Sequence, residues 1–157
     1  VMGLMPIIRF IDAVDTLKDK ILFIEEPEIH LHPSMQIEMA RLLAMLVNEG
    51  AIIVASTNSD YIVHEISNCI KLRYVLYKVQ KEYLEKEGLT DYPDISLDKH
   101  FVRAYSFQGH GRDIIIKEMK VNEYGIEADD FEKVIDSLFE RSAMLGEMIN
   151  KVKSNQT

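Results

Sequence analysis

Positive charge is scarce in this sequence. Eighteen Lys and Arg stand against 26 Asp and Glu, for a formal net charge of −8 at pH 7. A surface that grips a nucleic-acid backbone needs clustered Lys and Arg, so a broad nucleic-acid-binding face on this chain is not expected. Nucleic-acid contact through a further segment stays compatible with this balance. Cysteine occurs once, as Cys69. An internal disulfide is therefore impossible, and zinc sites built on several cysteines are excluded. Cys69 lies in an apolar stretch and reads as a small buried hydrophobe. No apolar run approaches the ~20 residues that a membrane span needs. The first residues carry Arg9 and Asp12 and no cleavage-site pattern, which argues against a signal peptide. The cytoplasm is the expected compartment, with no membrane partner. A phosphate-cradling loop, G-x-x-x-x-G-K followed by Ser or Thr, is also missing, since none of the seven glycines precedes a lysine.

What is there suits one domain with a real core: 157 residues, 47% hydrophobic and 28% charged. Leu4, Ile8, Ile11 and Val14 recur at helical spacing and predict a helix over about residues 3–17. The chain opens on Val1 inside what reads as the middle of a domain, so a piece of a longer protein is expected. Ile21-Leu22-Phe23-Ile24 and Ala51-Ile52-Ile53-Val54-Ala55 are short unbroken apolar runs. Such strands are expected to be buried on both faces of a parallel sheet covered by helices. Between them a helix is expected from Ser34 to Asn48, with Ile37, Leu42, Met45 and Leu46 inward and Gly50 at its C-terminal end. The resulting strand–helix–strand unit should cross over right-handedly.

Beyond it, Ser59 or Asp60 caps a short helix to Ser67, and residues 69–72 read as a short strand or as the end of that helix. Residues 73–87 read as a helix closed by Gly88. Residues 100–107 alternate as a strand, with Phe101, Arg103, Tyr105 and Phe107 on one side. Gln108-Gly109-His110-Gly111 marks a turn, and Ile114-Ile115-Ile116 begins a return strand. A last amphipathic helix is expected from Ala128 to about Lys151, with Phe131, Val134, Ile135, Leu138 and Met144 or Leu145 inward.

Chemistry concentrates where the first apolar run ends in Glu25 and Glu26. Ligands of open α/β sheets bind at the C-terminal edge of the strands. Adjacent acids there point in different directions and can take different roles. Glu25 can hold magnesium through water, and Glu26 can orient and deprotonate an attacking water. Taken alone, an acidic pair after an apolar run is more often a solvated loop entry. His30 and His32, with Asp60 or His64, raise a metal site as an alternative, but no third ligand is fixed by spacing and a structural role is preferred. The Lys- and Glu-rich stretch 78–86 reads as a solvated helix face.

The string Ile21–Gln36, ILFIEEPEIHLHPSMQ, resembles the Walker B and D-loop segment of ABC-type ATPases. The pattern E-P-E-x-H-L-H-P, from Glu26 to Pro33, is most similar to AAA-labelled families related to OLD nucleases and AbiEii-toxin-associated ATPases, with SMC proteins as more distant relatives. Ala55-Ser56-Thr57-Asn58-Ser59-Asp60-Tyr61 resembles the switch segment of the same group, where a histidine usually stands at the position of Asn58. The specific likeness covers about Leu4 to Asn68.

The resemblance implies an α/β fold: the C-terminal half of an ABC/SMC-like P-loop ATPase domain. Residues 1–70 would form the core portion and residues 71–157 a helical and hairpin lobe. It implies ATP and Mg2+ as ligands, Glu26 as the residue that activates water, and Asn58 against the γ-phosphate. Glu28, His30 and His32 would lie at the seam of a head-to-tail dimer. It also implies a missing N-terminal half that carries the phosphate loop, without which this chain should bind ATP poorly, and a possible nuclease or toxin effector in anti-phage defence. Asn58 departs from the pattern, since an amide cannot carry a proton as histidine can. That departure opens an alternative, a nucleotide-gated binding module with little turnover.

Overall fold

The computed structural model describes residues 16–78, 85–86, 93–110 and 113–154, with the backbone only at Pro93, His110, 129–132 and 153–154. The helix expected over residues 3–17 falls almost wholly outside the described residues, as does most of the stretch 79–92. The chain divides into two units, residues 1–127 and 128–157.

In the first unit, β1 (Ile21–Glu25) and β2 (Ile52–Ser56) pair in parallel, with Ile21 opposite Ile52 and Glu25 opposite Ser56. Parallel neighbours cannot be joined by a tight turn, and the crossover is α1 (Pro33–Asn48). Two local devices fix its ends. At the start, His32 adopts an extended backbone, its Nδ1 accepts from the Ser34 amide at 3.3 Å, and Pro33 takes the first helical position, where a missing N–H costs nothing. At the end, Gly50 takes φ +94°, and the amide of Ala51 reaches the carbonyl of Leu46 at 3.0 Å. A left-handed residue here turns the chain out of the helix and into β2. A side chain at Gly50 would also come within 3.2 Å of the Lys18 backbone.

One core joins Leu22, Met39, Ala40, Leu43, Leu46 and Ile62. The buried face of α1 is thus Met39, Ala40, Leu43, Ala44 and Leu46; Ile37 and Leu42 are half-buried, and Met45, expected inward, is exposed. Two neighbours claim α1, the sheet from one side and α2 from the other. The buried stripe is therefore rotated from where apolar spacing alone puts it.

The second helix, α2 (Asp60–Lys78), corrects the reading of its region. It runs unbroken through residues 69–72, where a strand or helix end was expected. Cys69 and Ile70 occupy the helix interior because they form a second core with Ala44 and Leu97. Ser59 caps α2, its Oγ accepting from the Ile62 amide at 3.2 Å, as one of the two expected caps. Arg41 of α1 pairs with Glu65 of α2 at 2.6 Å and with Glu38 at 2.9 Å, tying the helices together at the rim of the core.

The covering of the parallel sheet also differs from expectation. Leu22 is buried, but Ile21, Phe23, Ile52 and Val54 are exposed on the other face, Phe23 to 76%. Helices cover one face of this two-stranded sheet among the described residues.

After short 3-10 turns at Pro93–Ile95 and Lys99–Phe101, β3 (Ala104–His110) and β4 (Asp113–Met119) form an antiparallel hairpin. The strand extends past the expected turn at Gln108, since His110 pairs with Asp113. The expected alternation holds: Phe101, Arg103, Tyr105 and Phe107 are exposed, and Val102, Ala104, Ser106 and Gln108 half-buried.

A small hairpin, β5 (Val121–Asn122) with β6 (Gly125–Ile126), follows. It was not read from the sequence, although Asn122 and Gly125 between Val121 and Ile126 are turn residues between apolar ones. Gly125 sits at φ +104°, and the Ile126 amide donates to Ser67 Oγ of α2 at 3.0 Å.

The second unit is α3 (Asp129–Ser154), a 26-residue helix. Of its expected inward residues, Val134, Leu138, Met144 and Leu145 are exposed among the described residues and Ile135 is half-buried, while the Phe131 side chain lies outside the described residues. No helix among the described residues is long and apolar enough to cross a membrane.

Candidate nucleotide-hydrolysis site

The C-terminal ends of β1 and β2 lie side by side, and the candidate residues leave from them. Glu25 is the last residue of β1, opposite Ser56, and its side chain is exposed. The Glu26 amide continues the ladder to the Ser56 carbonyl at 2.9 Å. Glu26 itself then takes φ +43°. That region is costly for a residue with a Cβ, roughly 1–2 kcal/mol, and such residues concentrate at functional sites. The turn that follows is closed by the Ile29 amide on the Glu26 carbonyl and the Leu31 amide on the Glu28 carbonyl. His30 also has positive φ, 61°.

This geometry brings Glu26, Glu28 and Asn58 together across 30 residues of sequence. Asn58 Nδ2 donates to Glu26 Oε1 at 3.1 Å, and the Asn58 backbone amide donates to Glu28 Oε1 at 2.7 Å. The other Glu28 oxygen, Oε2, is buried without a hydrogen-bond partner among the described residues. A carboxylate oxygen in that state is held by the fold at a cost and offers an open acceptor position.

One residue with no assigned role in the sequence reading supports the cluster. Gln36 donates through Nε2 to the Leu31 carbonyl at 2.9 Å, and its Oε1 accepts from Ser59 Oγ. It thus ties the turn after β1 to the cap of α2, and so sets Asn58 against Glu26. Only a contact between α1 and α2 gives Gln36 this role, and its sequence position carries no signal of it.

The histidines are placed separately. His32 is the cap of α1, His30 is exposed, and His64 Nε2 lies 3.0 Å from Asp60 Oδ1 without an aligned hydrogen bond. No group of three His, Cys, Asp or Glu able to hold a metal ion exists among the described residues. Magnesium usually keeps several waters and takes only one or two carboxylates, the rest coming from substrate phosphates. The exposed carboxylate of Glu25 fits an ion delivered with phosphates rather than a preassembled site.

Burial pushes the Cys69 thiol up to about 12, helped by the charge of Glu65. Backbone hydrogen bonding first, and Lys99 second, hold the Glu123 carboxyl below its ordinary value.

Against known proteins, residues 1–63 match a family model described as an AAA ATPase domain. The match ends within α2 and contains all of the Glu25–Asn58 cluster. It supports an AAA/SMC-like ATPase affinity for this segment and a capacity for ATP binding and hydrolysis. The small parallel sheet with its helices is compatible with part of such a domain. No curated protein and no solved structure matches.

Proposed function

We propose that this chain carries the water-activating half of an ATP-hydrolysing site. The observation that supports this best is the direct bond between Asn58 and Glu26 at the C-terminal edge of a parallel strand pair. Glu26 acts as the base: its carboxylate orients a water and accepts its proton. The Asn58 amide holds that carboxylate in place and turns toward the γ-phosphate when nucleotide is present. Glu25 would hold the magnesium, which would supply neutralisation of the phosphate charge when bound. Glu28 fixes the Asn58 backbone through its amide.

The same residues fit further parts of this reading. Glu28, His30 and His32 lie in the turn that would face a second ATPase domain in a head-to-tail dimer closed by ATP. The E-P-E-x-H-L-H-P string resembles that of ATPases that drive a nuclease or toxin, and on that resemblance we extend the reading to an effector in anti-phage defence. The phosphate-binding loop must then come from another segment, and this chain by itself binds ATP weakly. Compartment follows the same reading and is cytoplasmic.

A second reading is favoured by one observation. The Asn58 amide donates to one oxygen of the carboxylate that would accept the proton, and it cannot relay a proton itself. A site so arranged can bind ATP and hold it, gating an assembly with little turnover.

The test is MgATP turnover by a protein that joins this chain to a phosphate-binding loop. Loss of a positioned base costs typically 100-fold or more in rate, so Glu26→Gln should lower kcat by about that much while nucleotide binding persists. Asn58→His should keep or raise turnover. Wild-type protein that binds ATP without turning it over, with hydrolysis restored by Asn58→His, establishes the gated reading in place of the enzymatic one.

A further inference from the structure

The helix α3 carries a pattern that the nucleotide site does not use. It forms its own unit, and at 1.5 Å per residue its 26 residues span about 39 Å. Phe131, Leu138, Leu145 and Val152 recur every seven residues, and Val134 and Met148 fill the intervening position in two of the three heptads. A strict seven-residue apolar repeat is the pattern of a helix that packs along another helix. Among the described residues the stripe is exposed: Val134, Leu138, Leu145, Met148, Ile149 and Val152 are each 48–63% exposed.

Two features of the sequence say what covers it. The first is a symmetry. Stepping forward from Phe131, apolar residues fall three, four and seven positions on, at Val134, Ile135 and Leu138. Stepping back from Val152, they fall at the same intervals, at Ile149, Met148 and Leu145. The stripe therefore reads alike from either end, with Arg141 and Ser142 at its midpoint.

The second feature is charge. The N-terminal half holds Asp129, Asp130, Glu132, Asp136 and Glu140 against Lys133 alone. The C-terminal half holds Arg141, Lys151 and Lys153 against Glu147 alone. A second copy laid parallel sets acid on acid. Laid antiparallel, it sets apolar stripe on apolar stripe, with positions 130 and 151 (Asp and Lys) sharing one flank of the seam and positions 132 and 153 (Glu and Lys) sharing the other. Asp136 then faces Glu147, but both stand on the outer side of the helix, away from the seam.

We infer that α3 is a self-association element, pairing antiparallel with the α3 of a second copy of this chain. A two-fold axis through the Arg141–Ser142 midpoint makes the interface self-complementary. Arg141 meets its own copy near the axis, where its aliphatic stem can cover the seam while its head reaches water. The pairing requires no nucleotide and stands independently of the hydrolysis site.

The experiment is mass determination by light scattering on the full chain, without nucleotide, at micromolar concentration. The expected mass is twice the 18.1 kDa of one chain. Leu138→Glu with Leu145→Glu should halve it. Asp130→Lys alone should weaken the dimer several-fold, and adding Lys151→Glu in the same chain should restore it. The restoration separates a lost interface from a lost fold. Orientation is read by mixing a Val134→Cys variant with an Ile149→Cys variant under mild oxidation; Cys69 is 1% exposed and stays out of the reaction. Antiparallel pairing gives mainly mixed disulfides. A monomeric wild type, a mass untouched by Leu138→Glu with Leu145→Glu, or disulfides mainly of like with like would each overturn the inference.

Discussion

At the residue scale, two positions show chemistry set by their surroundings. Cys69 is enclosed by the contact between α1 and α2, and water cannot solvate its thiolate, so its pKa rises from 9.0 to about 12. The thiol should not react with a disulfide reagent at pH 8 in the native protein and should react at once in denaturant. The same shift links stability to pH. In the unfolded chain the thiol loses its proton near pH 9, while in the folded chain it keeps it to about 12. The unfolded state thus binds fewer protons across that window, and stability falls as pH rises from 9 to 12. Denaturant midpoints measured across that range, compared with a Cys69→Ala variant, would show a shallower fall in the variant.

Gly125 is the other case. Its φ of +104° favours glycine, and a Cβ would stand 2.4 Å from the Ser67 side chain and 2.9 Å from its backbone. Overpacking of this kind costs typically 1–3 kcal/mol, and Gly125→Ala should lower unfolding free energy by about 3 kcal/mol. A loss under 1 kcal/mol by urea titration would mean that the β5–β6 hairpin moves off α2 freely.

At the scale of elements, the helix pair α1–α2 holds both the core and the site. Its polar seam is Arg41 with Glu65, and Glu65 also accepts from Asn68 at 3.0 Å. Glu65 is nearly buried and Arg41 a third exposed, so part of the attraction is screened. Removing the arginine leaves an acid in the seam without its main counter-charge. Arg41→Ala should destabilise by about 2 kcal/mol, and in an Arg41→Ala, Glu65→Gln double variant the loss should be smaller than the sum of the two. Strict additivity would show that the pair contributes no mutual energy.

The same elements show how far the sequence was legible. Both strands of the parallel pair and α1 were placed within a residue or so, because unbroken apolar runs and a Ser–Gly bounded amphipathic stretch are local signals. The course of α2 through Cys69 was not, because its apolar residues there serve a second core that lies across the helix from the first. The inward face of α1 was misjudged at Met45 for the same reason: two neighbours share the helix, and spacing alone registers one.

At the scale of the whole molecule, apolar surface is the dominant feature. Among the described residues, Ile21, Phe23, Ile52 and Val54 form one exposed sheet face, and α3 carries an exposed stripe of its own. Contiguous exposed apolar patches mark interaction surfaces. The sheet face should bind an environment-sensitive hydrophobic dye in the native state, and Phe23→Lys with Val54→Glu should reduce the signal at least by half with an unchanged denaturant midpoint. A lowered midpoint would show that these side chains are packed in solution.

The sequence by itself determined the kinds of element and the parallel strand pair, and singled out the Glu25–Glu26 and Asn58 segments as candidates for the chemistry. These follow from short-range periodicity and from residue types whose pattern is read locally. Only the tertiary structure decided that Asn58 bonds Glu26, that Glu28 holds the Asn58 amide, that Gln36 braces both, and that His32 serves as a helix cap. These depend on two strand ends meeting at one edge, and a residue's partner across 30 positions is fixed by the register of strands and the packing of helices.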